Sequence, residues 1–213
     1  MADPMTHPDD LRARLGHPDA PVLIDVRTTA DAARDPTCLP GATRLTLAAL
    51  EAGAGPRSGA AVVYCQRGGK ISRIAAALLR GRDVEATALA GGHLAWLDQD
   101  RPRRDLDIPA RWLASDDPDW ASAASEWVLR RLVDGAARVL RIAPEEVPAG
   151  CAAWDAAALP DAPSDLARIV GLMGFDLTAL DVTPDRSRLM AGRLRRGGDP
   201  LDLIDDAFAS ARA

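Results

Sequence analysis

The sequence predicts an α/β domain, a parallel sheet covered by helices, in its first half and a smaller, mostly helical domain after it. Three observations carry this reading. Short runs of consecutive β-compatible apolar residues alternate with helical stretches up to residue 97, and strands buried on both faces read as such runs. A polar, proline-punctuated stretch at 101–111 then breaks the pattern. Beyond it, apolar residues recur mainly at helical spacing. The chain therefore divides into a first domain, residues 1–100, a linker, 101–111, and a second domain, 112–213.

Taken in order, Asp9-Asp10 can cap a short helix, Leu11–Leu15, which Gly16 ends. Pro21–Arg27 reads as a buried strand, and a short helix follows around Thr29–Arg34. The turn Leu39-Pro40-Gly41-Ala42 leads to a helical stretch, Leu47–Ala52, and then to a second strand, Ala60–Tyr64. Cys65 stands directly after that strand, and a long helix runs from about Ser72 to Arg80. A weaker strand, Glu85–Leu89, is broken by Gly91-Gly92 before a last short helix, His93–Leu97. In the second half, Val128, Leu129, Leu132 and Val133 share a helical stripe ended by Gly135. Leu166, Ile169, Val170 and Met173 form another such stripe after Ser164. Thr183-Pro184 and Asp199-Pro200 read as caps followed by proline at the first helical position. Only Ala137–Ile142 reads as a strand there.

Composition narrows the function classes. Of 213 residues, 47% are hydrophobic but only 4% aromatic, so the core must be built from Ala, Leu, Val and Ile. A formal charge of -5 gives no phosphate-neutralising field, which argues against nucleic acid as a partner. The basic clusters Arg101–Arg104 and Arg193–Arg196 are read as solvated linker or helix-end charges. No basic segment followed by an apolar run stands at the start, and no stretch reaches about 18 apolar residues. A cytoplasmic protein without membrane partners is the expectation. Cys38, Cys65 and Cys151 match no zinc spacing and are read as thiols. Trp112, Trp120, Trp127 and Trp154 are read as helix contacts in preference to a base-stacking platform, and His7, His17 and His93 receive no catalytic role.

The chemistry is expected in the segment Cys65-Gln66-Arg67-Gly68-Gly69-Lys70-Ile71-Ser72. A cysteine at the carboxyl end of a parallel strand, before a helix, sits where such sheets place ligands. Backbone N–H groups of a loop curled there can converge on one anion. Gly68 and Gly69 make the curl sterically cheap. The positive charge of Lys70, the loop amides and the helix dipole should all favour thiolate over thiol at Cys65.

At these residues the sequence resembles the rhodanese family of sulfurtransferases. Four motifs stand in the family's order over about ninety residues: Leu23-Ile24-Asp25-Val26-Arg27, Leu39-Pro40-Gly41-Ala42, Cys65-Gln66-Arg67-Gly68, and Leu89-Ala90-Gly91-Gly92-His93-Leu94-Ala95-Trp96. The resemblance implies sulfane-sulfur transfer through a persulfide on Cys65. It also implies anion binding by the amides from Gln66 to Ser72, with Asp25 and Arg27 in support. A thiosulfate-like anion and a thiol or other thiophilic acceptor would be the partners, with no cofactor or metal. Two departures stand out. Cys38 replaces a histidine that ordinary single-domain members carry before the proline-glycine turn. It is read as a small buried filler, the alternative being a second thiol that resolves oxidised Cys65. The loop is also one residue longer than the common form, with Ile71 before Ser72. Relatives with longer loops that handle phosphate or arsenate place an arginine clamp where Ile71 stands, so that chemistry is disfavoured.

The lengthened loop resembles that of rhodanese domains fused to chromate-resistance (ChrB-like) domains. The helix Glu126–Asp134 and the segment Ile142-Ala143-Pro144-Glu145-Glu146-Val147 are similar to elements of that second family, as is Leu166-Ala167-Arg168-Ile169-Val170. The histidine and cysteine of that family's middle segment have only Cys151 and Asp155 as counterparts here. The expectation is a divergent second domain that binds no zinc. An oxyanion- or redox-sensing adaptor with little turnover stands as the alternative to a sulfurtransferase.

Overall fold

Each strand-forming run alternates its side chains between two faces, and the computed structural model uses both. It describes residues 4–17, 19–98, 101, 103–106, 111–115, 123, 126–135, 138–142, 152–153, 184–199 and 202–206. The elements of the first hundred residues are β1 (Met5–Thr6), α1 (Pro8–Arg14), β2 (Val22–Asp25), α2 (Thr29–Arg34), β3 (Thr37–Cys38) and β4 (Thr43–Arg44). They continue with α3 (Leu47–Glu51), β5 (Ala60–Tyr64), α4 (Lys70–Arg80), β6 (Glu85–Leu89) and α5 (Gly92–Leu97). Five strands form one sheet in the order β1-β6-β5-β2-β4, with every neighbouring pair parallel. The predicted α/β class and parallel sheet are what the chain adopts.

The pairing Ile24 to Val63 and Val63 to Ala88 fixes the register. With it, Ile24, Ala61 and Val63 face Leu50 of α3 and Ala75, Ala76 and Leu79 of α4. Leu23, Val62, Tyr64 and Leu89 pack on the opposite face with Leu11 of α1 and Trp96 of α5. Helix α4 buries Ser72, Ala75, Ala76 and Leu79, the i, i+3, i+4, i+7 positions of one face. That spacing brings its first turn over the end of β5. Local capping agrees with these boundaries: the Thr28 and Thr46 hydroxyls accept hydrogen bonds from the Asp31 and Ala49 N–H groups. At α1 the cap position belongs to His7, not to Asp9-Asp10, because Pro8 starts the helix and the two aspartates fall in its first turn.

Two expectations for the following region need correction. Arg101 and Arg104 are buried, not solvated. Arg101 lies over the Trp96 ring and donates to the Ala95 carbonyl and the Asp9 carboxylate. Arg104 donates to the Ala42 carbonyl, and its strand β7 (Arg104–Asp105) pairs antiparallel with β3. Long guanidinium side chains can bury their stems and still find oxygen acceptors, which a count of charged residues does not reveal. The second correction is a three-stranded parallel sheet, order β10-β8-β9, formed by β8 (Arg111–Ser115), β9 (Arg138–Ile142) and β10 (Ala152–Ala153). Of these only β9 was expected from the sequence.

The stripe of Leu129, Leu132 and Val133 is buried in a π-helical turn, Leu129–Val133. Trp127 is buried too and donates from Nε1 to Asp205, so it is a core contact. Helix α6 (Pro184–Arg195) begins at the proline expected to start it. The segment 166–173, Cys151 and Asp155 lie outside the described residues.

Candidate active site

Cys65 follows the carboxyl end of β5, and its side chain sits beneath the first turn of α4. The Gly69 N–H donates to Cys65 Sγ at 3.3 Å, and the Ser72 Oγ lies 3.3 Å from the same sulfur. Ser72 also donates to the Gly69 carbonyl at 3.1 Å, so its single hydroxyl proton has two acceptors within reach. Burial pushes the thiol up. The Ser72 hydroxyl and the N–H groups of Ser72, Arg67 and Gly69 outweigh it, and Cys65 is held below the ordinary cysteine value.

The loop residues therefore divide by role. Ser72, Arg67 and Gly69 act on the sulfur directly, the first through both hydroxyl and backbone. Lys70, expected to favour the thiolate by charge, has an exposed side chain and is not among the groups that depress the thiol most. An ammonium in water is screened, whereas an N–H in contact is not. Ile71 turns inward and packs against the core cluster of Ile24, Val63 and Leu79. An apolar residue suits that position, and it supplies no bidentate clamp. Gln66 is half-buried and Arg67 exposed.

The glycine pair expected to make the loop curl is not a symmetric pair. Gly68 has φ of 64°, whereas Gly69 does not enter the left-handed region. A Cβ on Gly68 would stand 2.5 Å from the Leu89 carbonyl, and one on Gly69 would meet nothing within 4 Å. Gly92 fits as tightly against the loop: a Cβ there would lie 2.3 Å from both the Cys65 carbonyl oxygen and the Gly68 nitrogen. The first N–H groups of α5 complete the seat. His93 N–H donates to the Cys65 carbonyl at 2.9 Å and Leu94 N–H to the Gln66 carbonyl at 3.1 Å.

Asp25 and Arg27 support this end of the sheet without touching the sulfur. Their side chains are fully buried and joined by a fork of hydrogen bonds, with Arg27 Nη2 to Asp25 Oδ2 at 2.8 Å and Nε to both oxygens. Arg27 also donates to the Asp35 and Thr37 carbonyls, tying the end of β2 to the α2–β3 connection. Removing one partner would strand a buried charge, at a cost of about 3–5 kcal/mol.

His93, given no catalytic role from the sequence, follows Gly92 at the start of α5. Its side chain is fully buried, stacks on Tyr64 with ring centroids 6.1 Å apart, and bonds through Nε2 to Asp35 Oδ2 at 3.1 Å. Fifty-eight positions separate the two residues, so no local pattern could pair them. Among the described residues, no group of three or more His, Cys, Asp or Glu side chains is placed to hold a metal ion.

No protein-family model and no curated protein matches the chain. Several solved structures are similar to it over about half of its length. A rhodanese-related protein from Thermoplasma volcanium is 18% identical, covering 49% of this chain and 99% of that one, with a TM-score of 0.42. A protein from Rhodopseudomonas palustris described as a possible tyrosine phosphatase is 26% identical over 48% of this chain and 85% of its own, with a TM-score of 0.41. A rhodanese homolog from Thermus thermophilus is 28% identical over 43% of this chain and 98% of its own, with a TM-score of 0.36.

Proposed function

We propose that the chain is a rhodanese-type sulfurtransferase with Cys65 as its nucleophile. The observation that carries this reading is one sulfur at the carboxyl end of a parallel sheet with the Gly69 N–H donating to it and the Ser72 hydroxyl beside it, each at 3.3 Å. The four motifs in the family's order support it as well.

The thiolate attacks the outer sulfur of a thiosulfate-type donor. A bond forms between Cys65 Sγ and that sulfur, the donor's S–S bond breaks, and sulfite leaves with the bonding pair. The product is a Cys65 persulfide anion, whose charge the same N–H groups and the Ser72 hydroxyl stabilise electrostatically. A thiophilic acceptor then attacks the terminal sulfur, and the Cys65 thiolate is regenerated as the leaving group. Neither half-reaction calls for a cofactor, and Gln66, Arg67, Gly68, Gly69, Lys70 and Ile71 complete the loop around the anion. Among the described residues no helix is long and apolar enough to cross a membrane. The chemistry needs free thiols, and we place it in the cytoplasm, a reducing compartment.

Thiocyanate formation from thiosulfate and cyanide tests the proposal. Activity in the wild type and its loss in Cys65→Ala is the expected result. Absence of turnover, with chromate or phosphate protecting Cys65 from alkylation, would instead identify an oxyanion-binding adaptor.

A further inference from the structure

Behind the loop lies a chain of buried polar groups that the persulfide chemistry does not use. It begins at the Asp25–Arg27 pair and passes from Arg27 Nη1 to the Asp35 carbonyl at 3.1 Å. The Asp35 carboxylate is shared: Oδ1 accepts from the Thr37 N–H and hydroxyl, and Oδ2 faces His93 Nε2. An ionised carboxylate can only accept, so Nε2 carries the imidazole proton and Nδ1 holds a lone pair. That Nδ1 is buried and has no hydrogen-bond partner. The chain ends where the His93 backbone N–H holds the Cys65 carbonyl, next to the Gly92–Gly68 contact that leaves no room for a methyl group.

We propose that His93 and Asp35 are positioning residues for the nucleophile. The imidazole is fixed at its edge by Asp35 and on its face by Tyr64, and it sets the N–H that holds the Cys65 peptide. Because Gly92 is in backbone contact with both Cys65 and Gly68, a rotation at 92–93 would turn the loop N–H groups away from the sulfur. His93 does not touch the donor, and its effect passes through Cys65 alone. The groups facing the ring are Asp35 from the α2–β3 connection, Tyr64 from β5, and Arg27 and Asp25 at the end of β2. Burial and the Arg27 charge hold His93 below the ordinary histidine value, which agrees with a neutral ring in this role. This inference rests on Cys65 as the reactive thiol but not on the identity of its sulfur donor.

Two variants test it in the full chain. His93→Phe keeps an aromatic ring against Tyr64 and loses the Asp35 bond; Asp35→Ala removes the acceptor, and with it the bonds from the Thr37 N–H and hydroxyl, from a side chain that is 30% exposed. The primary readout is the pH dependence of Cys65 alkylation by iodoacetamide, followed by peptide mass mapping. Both variants should shift the midpoint to higher pH, and kcat for thiosulfate should fall about tenfold with KM nearly unchanged. Folded variants with the wild-type alkylation profile would overturn the proposal. If His93→Phe does not fold, Asp35→Ala decides by the same two outcomes. Alkylation is read even if thiosulfate proves not to be a donor, so a failure here is distinct from a failure of the sulfurtransferase reading.

Discussion

Cys65 and Cys38 make an informative contrast. Both are buried and both are free thiols. Cys38, in β3 opposite Arg104, is pushed by burial up to about 12, although Arg104 and Arg27 pull the other way. Cys65 is less deeply buried, and burial pushes it in the same direction, yet it ends below its ordinary value. The difference is a hydroxyl and several backbone N–H groups aimed at one sulfur. Distant guanidinium charge does not offset burial at Cys38, whereas donors in contact do at Cys65. The structure thus favours the filler reading of Cys38.

The largest expected effect is in reactivity. The two thiols are displaced in opposite directions, so the thiolate fraction at neutral pH is far larger at Cys65 than at Cys38. Iodoacetamide labelling resolved by peptide mapping should find Cys65 modified long before Cys38 in the native chain. Comparable labelling of both would break the contrast.

Next in size is Ser72→Ala. Removing the hydroxyl takes away the largest favourable influence on the thiol. The midpoint of Cys65 alkylation should rise, and the rate at neutral pH should fall about tenfold. A third, smaller effect concerns stability. The Cys38 thiol is raised in the folded state, so above its unfolded value near 9.0 the unfolded chain binds fewer protons than the folded one. Stability should then fall as pH rises from about 9 towards about 12. Thermal melts across that range should show a shallower decline for Cys38→Ala than for the wild type. The smallest expected effect is Lys70→Ala, whose exposed ammonium is screened. Its alkylation midpoint should stay close to the wild type, and a shift as large as that of Ser72→Ala would restore the cationic explanation of the thiolate.

These two sites also show what a sequence reveals. The runs Leu23-Ile24 and Ala61-Val62-Val63 announced central strands because a strand covered on both faces has no polar side to interrupt it. The position of Cys65 was legible for a related reason, since a strand end, glycines and a helix start are local signals. Two-residue strands such as β3 and β7 carry no periodicity, so their pairing emerged only in three dimensions. The charged run containing Arg101 and Arg104 looked solvated because its acceptors, the Ala95 and Ala42 carbonyls and Asp9, are set by tertiary packing. The charge of Lys70 can be read from a letter, whereas the direction of the Ser72 hydroxyl cannot. The partnership of Asp35 with His93, fifty-eight positions apart, left no local pattern to read.

Intact and peptide mass analysis after incubation with thiosulfate tests the central claim most directly. The expected result is a gain of one sulfur atom, confined to the peptide carrying Cys65, lost again on treatment with cyanide and absent in Cys65→Ala. A sulfur adduct found on Cys38 or Cys151 instead, or thiocyanate production that survives Cys65→Ala, would contradict it.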